Sequence, residues 1–525
     1  MLLSGCDSSR SSATPATPTG GEDPTLPVSS ITWTPLVPHQ DTRNVYLSSS
    51  TGNDGHNGLS PQSPKATLGA ALQLMRNGYP DWLHIRRGDQ FSGGLGDWWL
   101  SGRAEGKPMV ITTYGPSANR PVFNCGNGDG INLWSGPVHD VAFVGIHLLA
   151  NGYNGVNGNP YGLTILSQTT RVLFEDMKIE RFFTNIRMQG AHVRGVKMRR
   201  SVIIDAFTTG SAHAQGIYVE GLKDLLLEEC VFDHNGWNEN VPGAIATIFR
   251  HNCYLQGDTN NCVVRGNIIA RAGSHGLQAR SGGVVHSNLF LGNSINLLVG
   301  SNTANNGALT ASVIGNVILD GKNISPGEPR GWSASFQCLA AGEVAYNIAA
   351  HQVTGTNPQN YEFNSNQGQG IRNVDFHHNV SYRWGAPLAV NGGNYSNFRM
   401  HDNELQEFGG SDLVRTMYGG GGFYSANNRI FTTASSNAWM NHQGSLVSLP
   451  TWKSMVGDTS SSSQQMSYPA ASQTIAGYDL TVGGSGSLAS FLSRARDQSR
   501  TNWDDRFCGT HVSAHFRNNF GVVVP

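Results

Sequence analysis

A five-residue pattern recurs down the middle third of this chain, each copy closed by Gly or Ser: Ile131–Ser135, Leu163–Ser167, Ile186–Gly190, Ile217–Gly221, Cys253–Gly257 and Leu277–Ser281. In each copy the first and third residues are apolar or small, as Ile217 and Val219 are, while the second and fourth, Tyr218 and Glu220, project the other way. That period of two reads as a β-strand with one buried face. The copies are roughly 20 to 36 residues apart, the irregular spacing of a solenoid whose coils keep their strands and vary their loops. Stacked coils of this kind bury one continuous core.

A second register follows the first, and from mid-chain an Asn recurs at one place in it. It reads Gly266-Asn267-Ile268-Ile269, Ser287-Asn288-Leu289-Phe290, Gly315-Asn316-Val317-Ile318, Tyr346-Asn347-Ile348-Ala349, His378-Asn379-Val380-Ser381 and Asp402-Asn403-Glu404-Leu405. Ser201 and Cys230 hold the same place in earlier coils. An Asn at a bend between strands tolerates left-handed backbone, and its amide can bond to the copies above and below. The expectation is an asparagine ladder in which Asn267, Asn288, Asn316, Asn347 and Asn379 share one column.

These two registers resemble the right-handed parallel β-helix of the pectin-lyase-like superfamily, over most of residues 45 to 435. The segment from Val45-Tyr46-Leu47-Ser48 through Gly52-Asn53-Asp54-Gly55 to Pro64–Leu68 and Ala70-Ala71-Leu72 is similar to the opening of many secreted β-helix proteins. There a strand and an amphipathic helix cover the first coil, since an open end would expose unpaired backbone and core side chains. The resemblance implies an all-β fold: a parallel β-helix with an N-terminal capping helix and a helical or irregular C-terminal tail. It implies no single activity, because this fold carries lyases, hydrolases, epimerases, esterases and binding proteins.

Charged residues make up 14% of the chain and the net charge is −1. With no basic run, the electrostatic footprint of a nucleic-acid binder is missing, and an anionic polymer would have to be held by local arginines. No stretch of about 20 apolar residues is present to span a bilayer. The chain divides into a tether (1–38), a β-helix with its cap (39–435) and a tail (436–525) that packs on or caps the β-helix. Within the tail, Leu488–Arg496 has helical apolar spacing.

Leu3-Ser4-Gly5-Cys6 resembles a bacterial lipobox, followed by a Ser/Thr/Pro-rich run with the composition of a flexible tether. Lipidation at Cys6 would place the protein outside the cytoplasm, lipid-anchored or secreted, with that anchor as its only membrane contact. The other cysteines are Cys125, Cys230, Cys253, Cys262, Cys338 and Cys508, and none has zinc-type C-x-x-C spacing. Cys253 and Cys262 flank the turn Gln256–Asn261 and are placed to pair in an oxidising compartment.

Stacked coils turn outward strand positions into columns about 4.8 Å apart. The first column reads Arg187, Tyr218, Tyr254 and Gln278; the second reads Gln189, Glu220, Gln256 and Arg280; Gln215, His251 and His275 precede the strands, with His213 and Arg250 adjoining. The long insertion 233–246 brings Asp233, His234 and Trp237 toward this side. In the superfamily resembled here, the substrate groove lies on this kind of face. Acid, base and cation types converge on adjacent coils, which suits β-elimination on a uronic-acid polysaccharide: Arg280 or Arg250 as cation, His275 or His251 as base, Tyr218 or Tyr254 as acid. His213, Arg187, Gln256, Gln278, Arg250, Asp233, His234 and Trp237 are the candidate substrate contacts. A calcium-assisted variant needs clustered carboxylates, and only Glu220, Asp233 and Asp258 are near, so no cofactor or metal is expected.

The alternatives are glycoside hydrolysis by Glu220 with Asp233 or Asp258, and a non-catalytic glycan-binding surface in which Trp98, Trp99, Trp134 and Trp237 stack on sugars. His286, His377, His378 and His401 lie outside the cluster. The expected partner is a polysaccharide, and the expected state a monomer.

Overall fold

The computed structural model describes residues 32–301, 309–324, 328–352, 359–365, 370–391, 395–410, 412–416 and 422–525. Cys6 and the tether up to residue 31 lie outside the described residues. Three sheets of 14 strands run the length of the molecule, and each coil contributes one strand to each. Sheet 1 runs from Asn44–Leu47 to Phe423–Ala426, sheet 2 from Gln90–Ser92 to Ser462–Ser463, and sheet 3 from Gly96–Asp97 to Ser445–Val447. Neighbours pair in parallel, except for the closing hairpin of Met440–His442 with Ser445–Val447. The fold is an all-β parallel solenoid, consistent with the right-handed pectin-lyase-like kind.

The register in sheet 3 is the one the repeat dictates: Ile186 pairs with Ile217, Ile217 with Cys253, and Cys253 with Leu277. Inward residues stack into the core, where Phe143 lies on Phe174 at 5.3 Å and Phe336 on Phe363 at 4.6 Å. Burial of these apolar columns along the axis is the main stabilising term.

The asparagine ladder stands at the turn from sheet 1 to sheet 2. Asn267, Asn288, Asn316, Asn347, Asn379 and Asn403 each donate backbone N–H to the side-chain oxygen of the next Asn at 2.9–3.1 Å, ending on Asn428. The left-handed residue is not the Asn itself. It is the one before it: Ser287 (φ 53°), Tyr346 (58°), His378 (54°), Asp402 (55°), with Gly266 and Gly315 in the same role. That residue turns the corner and leaves the Asn amide free to point along the axis. Asn316 is fully buried, accepts from Asn288 and donates to Val285 O at 2.7 Å and Asn347 at 2.9 Å. Asn316→Ala strands these partners and should lower stability by about 1–3 kcal/mol, read as a fall in the urea midpoint. An unchanged midpoint would count against a structural ladder.

Asn44–Leu47 is the first strand of sheet 1 and pairs with Trp82–Arg86, so it opens the solenoid itself. Beside it lies the short helix Leu68–Leu72, capped by Thr67. At the other end the helix Leu449–Val456 sets Trp452 against Phe423 at 6.0 Å. Strands extend beyond residue 435, to Ser463.

The rest of the tail covers sheet 2, whose outward residues Ile204, Leu291 and Leu319 are apolar and need cover. Tyr478, Phe491, Phe516 and Phe520 from the tail helices pack on them. The helix Leu488–Arg496 has the bounds its periodicity predicts, with Ser487 as N-cap. An N-terminal arm lies against sheet 1, where Thr34 bonds to Glu175 and Arg199, and Trp33 meets Trp503 edge-on at 5.4 Å.

All six described cysteines are buried, and Cys125, Cys230, Cys253, Cys262 and Cys508 are free thiols. The expected Cys253–Cys262 pairing is corrected: Cys253 belongs to a sheet 3 strand and Cys262 to a sheet 1 strand, on either side of the turn. Both side chains point into the core from strands of different sheets, and the two are not bonded to each other.

Candidate functional site

Sheet 3 places Arg187, Tyr218, Tyr254 and Gln278 in one outward column, each paired with the next. Gln189 pairs with Glu220 in the second column. Two hydrogen-bonded arms form on this face. In the first, Arg187 donates to Gln189, Gln189 donates to Glu220, and the Tyr218 hydroxyl donates to the same Glu220 oxygen at 3.1 Å. Gln256 on the next coil also bonds to Tyr218.

The second arm crosses three coils. Gln215 spends its amide N–H on Phe249 O at 3.1 Å, so its oxygen is the acceptor for both His251 N–H and His251 Nδ1, each at 2.9 Å. With the Gln278 amide in the orientation that gives both its atoms partners, its nitrogen donates to His251 Nε2 at 3.0 Å and its oxygen accepts from Arg280 Nη2 at 3.1 Å. Tyr254 joins the arms: its ring lies 5.4 Å from Tyr218, 5.0 Å from His251, and beneath the Arg280 guanidinium at 5.8 Å.

Each side chain has a role that follows from these contacts. His251 has both ring nitrogens committed, the Nδ1 as donor and the Nε2 as acceptor, and burial holds its pKa well below the usual value. It positions Gln278 and, through it, Arg280. His275 lies 4.7 Å from His251, bonds to Ser274 Oγ at 2.9 Å, and is pushed down to about 3 by burial and by Arg280. A base so weak is poorly matched to proton abstraction near neutrality. Tyr218 is pushed up to about 12, first by burial and then by the Glu220 charge. It stays protonated across the neutral range, as a proton donor must.

The histidines make stability depend on pH. His275 titrates at about 3, and His84 and His286 at about 4, all lowered mainly by burial. In the unfolded chain an imidazole titrates near 6.5. The unfolded chain therefore binds protons below about pH 6.5 that the folded one refuses, so this stability is complete above that pH and drains as pH falls toward 3–4. The urea midpoint should fall between pH 7 and pH 5, and His275→Gln should flatten the fall. An identical slope in the variant would contradict the assignment.

The remaining predicted residues separate. His213 is exposed and lies 5.1 Å from Phe249 at the groove edge. Arg250 is 1% exposed and spends its guanidinium on the carbonyls of Gly236, Ile245 and Gly210, so it pins the long loop and cannot serve as substrate cation. Asp233 ends a sheet 2 strand, fully buried, paired with Arg271 at 2.6 Å and with Arg496 of the tail. His234 sits between Asp205 and Glu239, and Trp237 packs on His234 while donating to Arg271 O at 2.8 Å. These three belong to the corner under the tail, away from the sheet 3 columns. Asp258 accepts the Gly221 N–H at 2.9 Å and so stays beside Glu220. Trp98 is buried in the core. On sheet 1, His377 and His401 stack at 5.0 Å, outside the cluster.

The first column continues past Gln278 through Leu298, Ser335 and Glu362. Glu362 accepts from Asn391 at 2.9 Å and Ser335 at 3.3 Å, and burial raises its pKa. Extending the register three more coils would have found it. Among the described residues, no group of three or more His, Cys, Asp or Glu side chains is arranged to hold a metal ion.

No protein-family model matches the sequence, and no curated protein does. Several solved structures align with the chain at low similarity. A GH136 lacto-N-biosidase from Eubacterium ramulus is 10% identical, over 81% of this chain and 68% of its own, with a TM-score of 0.34. The pectate lyase Pel9A is 14% identical, over 78% and 82%, at 0.33. A rhamnogalacturonan lyase is 12% identical, over 71% and 84%, at 0.34. The fold itself is the all-β parallel solenoid described above. Likeness this distant carries no activity across, so the function of this β-helix has to be argued from the sheet 3 face.

Proposed function

We propose that the sheet 3 face from Arg187 to Arg280 binds an acidic polysaccharide and cleaves it by β-elimination. The observation that carries this reading is the Tyr218–Glu220 hydrogen bond at 3.1 Å, on a half-exposed face with Arg280 two coils away. Arg280 pairs with the uronate carboxylate and draws off charge as the neighbouring carbon loses its proton. Glu220 takes that proton. The C–H electron pair becomes the new carbon–carbon double bond, the glycosidic C–O bond on the adjacent carbon breaks, and Tyr218 gives its proton to the leaving oxygen. The tyrosinate then recovers a proton from Glu220 along their hydrogen bond. The base thus moves from the histidines to Glu220, because His251 is fully bonded and His275 is too weakly basic.

A second reading, hydrolysis, is favoured by the placement of Asp258 beside Gly221, which gives Glu220 a carboxylate neighbour. Arg280→Ala separates the two. Under elimination it should lower kcat/KM on a uronate polymer by at least about 100-fold, the scale of a missing electrostatic partner, and leave the carboxyl-reduced polymer uncleaved by either protein. Equal activity of both proteins on the carboxyl-reduced polymer would favour hydrolysis.

A further inference from the structure

We propose that Trp99 and Trp134 form a second sugar subsite on the same face, which stacks uncharged pyranose rings and selects a long polymer containing neutral sugars as well as uronates. The subsite extends the glycan site above and rests on that reading. Its basis is the register: Asp97 pairs with Asn132, Asn132 with Thr164, Thr164 with Arg187, and Arg187 with Tyr218. Two residues further along these strands, the second outward column therefore begins Trp99, Trp134, Leu166 before it reaches Gln189 and Glu220. The ladder holds past the strand ends, through Trp98 N–H to Asn132 O at 2.8 Å and Leu166 N–H to Leu133 O at 3.0 Å.

Trp98 and Trp99 divide as strand alternation demands: Trp98 is 1% exposed in the core, Trp99 is 54% exposed, and Trp134 and Leu166 beside it are 43% and 37% exposed. Two exposed indoles and a leucine on consecutive coils form an apolar ridge. A contiguous exposed apolar ridge marks an interaction surface. An aromatic face with polar groups beside it suits the apolar face of a sugar ring. Asn132 Oδ1 and Thr164 Oγ1, outward in the adjoining column, are buried without a hydrogen-bond partner, so the ligand favoured here brings hydroxyl groups.

Charge selects which sugar. Beside the ridge stand Asp97 and Asp129, both in contact with the Asn132 amide at 3.4 and 3.3 Å. A uronate carboxylate is repelled there, whereas Arg187 and Arg280 attract it further along. Trp99, at the far end of the ridge, and Arg280 are six coil steps apart, about 29 Å at about 4.8 Å per step. One chain reaching both ends is a polymer, laid parallel to the coil axis.

Affinity electrophoresis of the full chain through gels containing rhamnogalacturonan, glucuronoxylan or polygalacturonate tests this without requiring turnover. The wild type should be retarded in at least one of the two mixed polymers. Trp99→Ala and Trp134→Ala should each weaken that retardation about tenfold, the scale of removing one stacked ring from a desolvated face, while Trp134→Phe restores most of it. Circular dichroism confirms that the variants fold. Alanine variants that run as the wild type does, or a wild type retarded by neither mixed polymer, would overturn the subsite. Trp-dependent retardation without any cleavage would sink elimination and leave the subsite standing; cleavage indifferent to both tryptophans would do the reverse.

Discussion

Tyr218→Phe should lower turnover of a uronate polymer by about 100- to 10,000-fold, the range for removal of a positioned general acid, with KM nearly unchanged. The phenyl ring keeps its packing against Tyr254 at 5.4 Å, so only the hydroxyl and its bonds to Glu220 and Gln256 disappear. Glu220→Gln should cost as much. The double variant should be little worse than either single one, because acid and base act as a unit joined by one hydrogen bond. Steady-state kinetics on the four proteins decide it. Retained turnover in Tyr218→Phe would remove the proposed acid, and additive losses would separate two residues that the mechanism couples.

Asp233→Ala should be strongly destabilising, by about 3 kcal/mol, because it leaves Arg271 and Arg496, both about three-quarters buried, without their shared partner. Asp233 has no exposure, accepts from Arg271 Nε at 2.8 Å and Nη2 at 2.6 Å, and is one of only two carboxylates that hold Arg496 among the described residues, the other being Asp205. Arg496 closes the helix Leu488–Arg496 that covers sheet 2, so its release frees the tail and exposes Leu291 and Leu319. A lower urea midpoint together with faster proteolysis after residue 436 is the expected result. Wild-type stability in the variant would show that the corner contributes nothing. Sheet 3 should keep its geometry, which is how this residue differs from Tyr218.

The solenoid and its columns were legible because both rest on local spacing. A strand has a period of two, and each coil returns to the same place, so Arg187, Tyr218, Tyr254 and Gln278 could be aligned without knowing a single contact. The asparagine ladder was legible for the same reason. What spacing does not carry is the identity of a partner far away in sequence. Asp233 read as a catalytic carboxylate because its nearest neighbours in sequence are His234 and Trp237, whereas its binding partner Arg496 is 263 residues distant. Arg250 read as a free cation because the loop that wraps it, with carbonyls at Gly236 and Ile245, has no periodic signal. His251 read as a base because nothing in sequence shows that Gln215 and Gln278 take both its nitrogens. A second polar network, in which Asn185 donates to Asn235 and Asn235 to Asn252 at 2.9 and 2.8 Å, escaped notice since Asn185 and Asn252 sit near the starts of sheet 3 strands while Asn235 lies in the long insertion, so no common spacing relates the three. Trp99 and Trp134 were visible one by one; only the register showed that they share a column with Glu220.

Incubation of the protein with a panel of uronate-containing polysaccharides, followed by ultraviolet absorbance, is the most direct test of the site. Elimination leaves a double bond conjugated to the uronate carboxylate at each new chain end. Absorbance should therefore rise with the wild type and stay flat with Tyr218→Phe and Glu220→Gln. New reducing ends appearing without absorbance would contradict elimination in favour of hydrolysis, and neither signal on any member of the panel would contradict catalysis on this face.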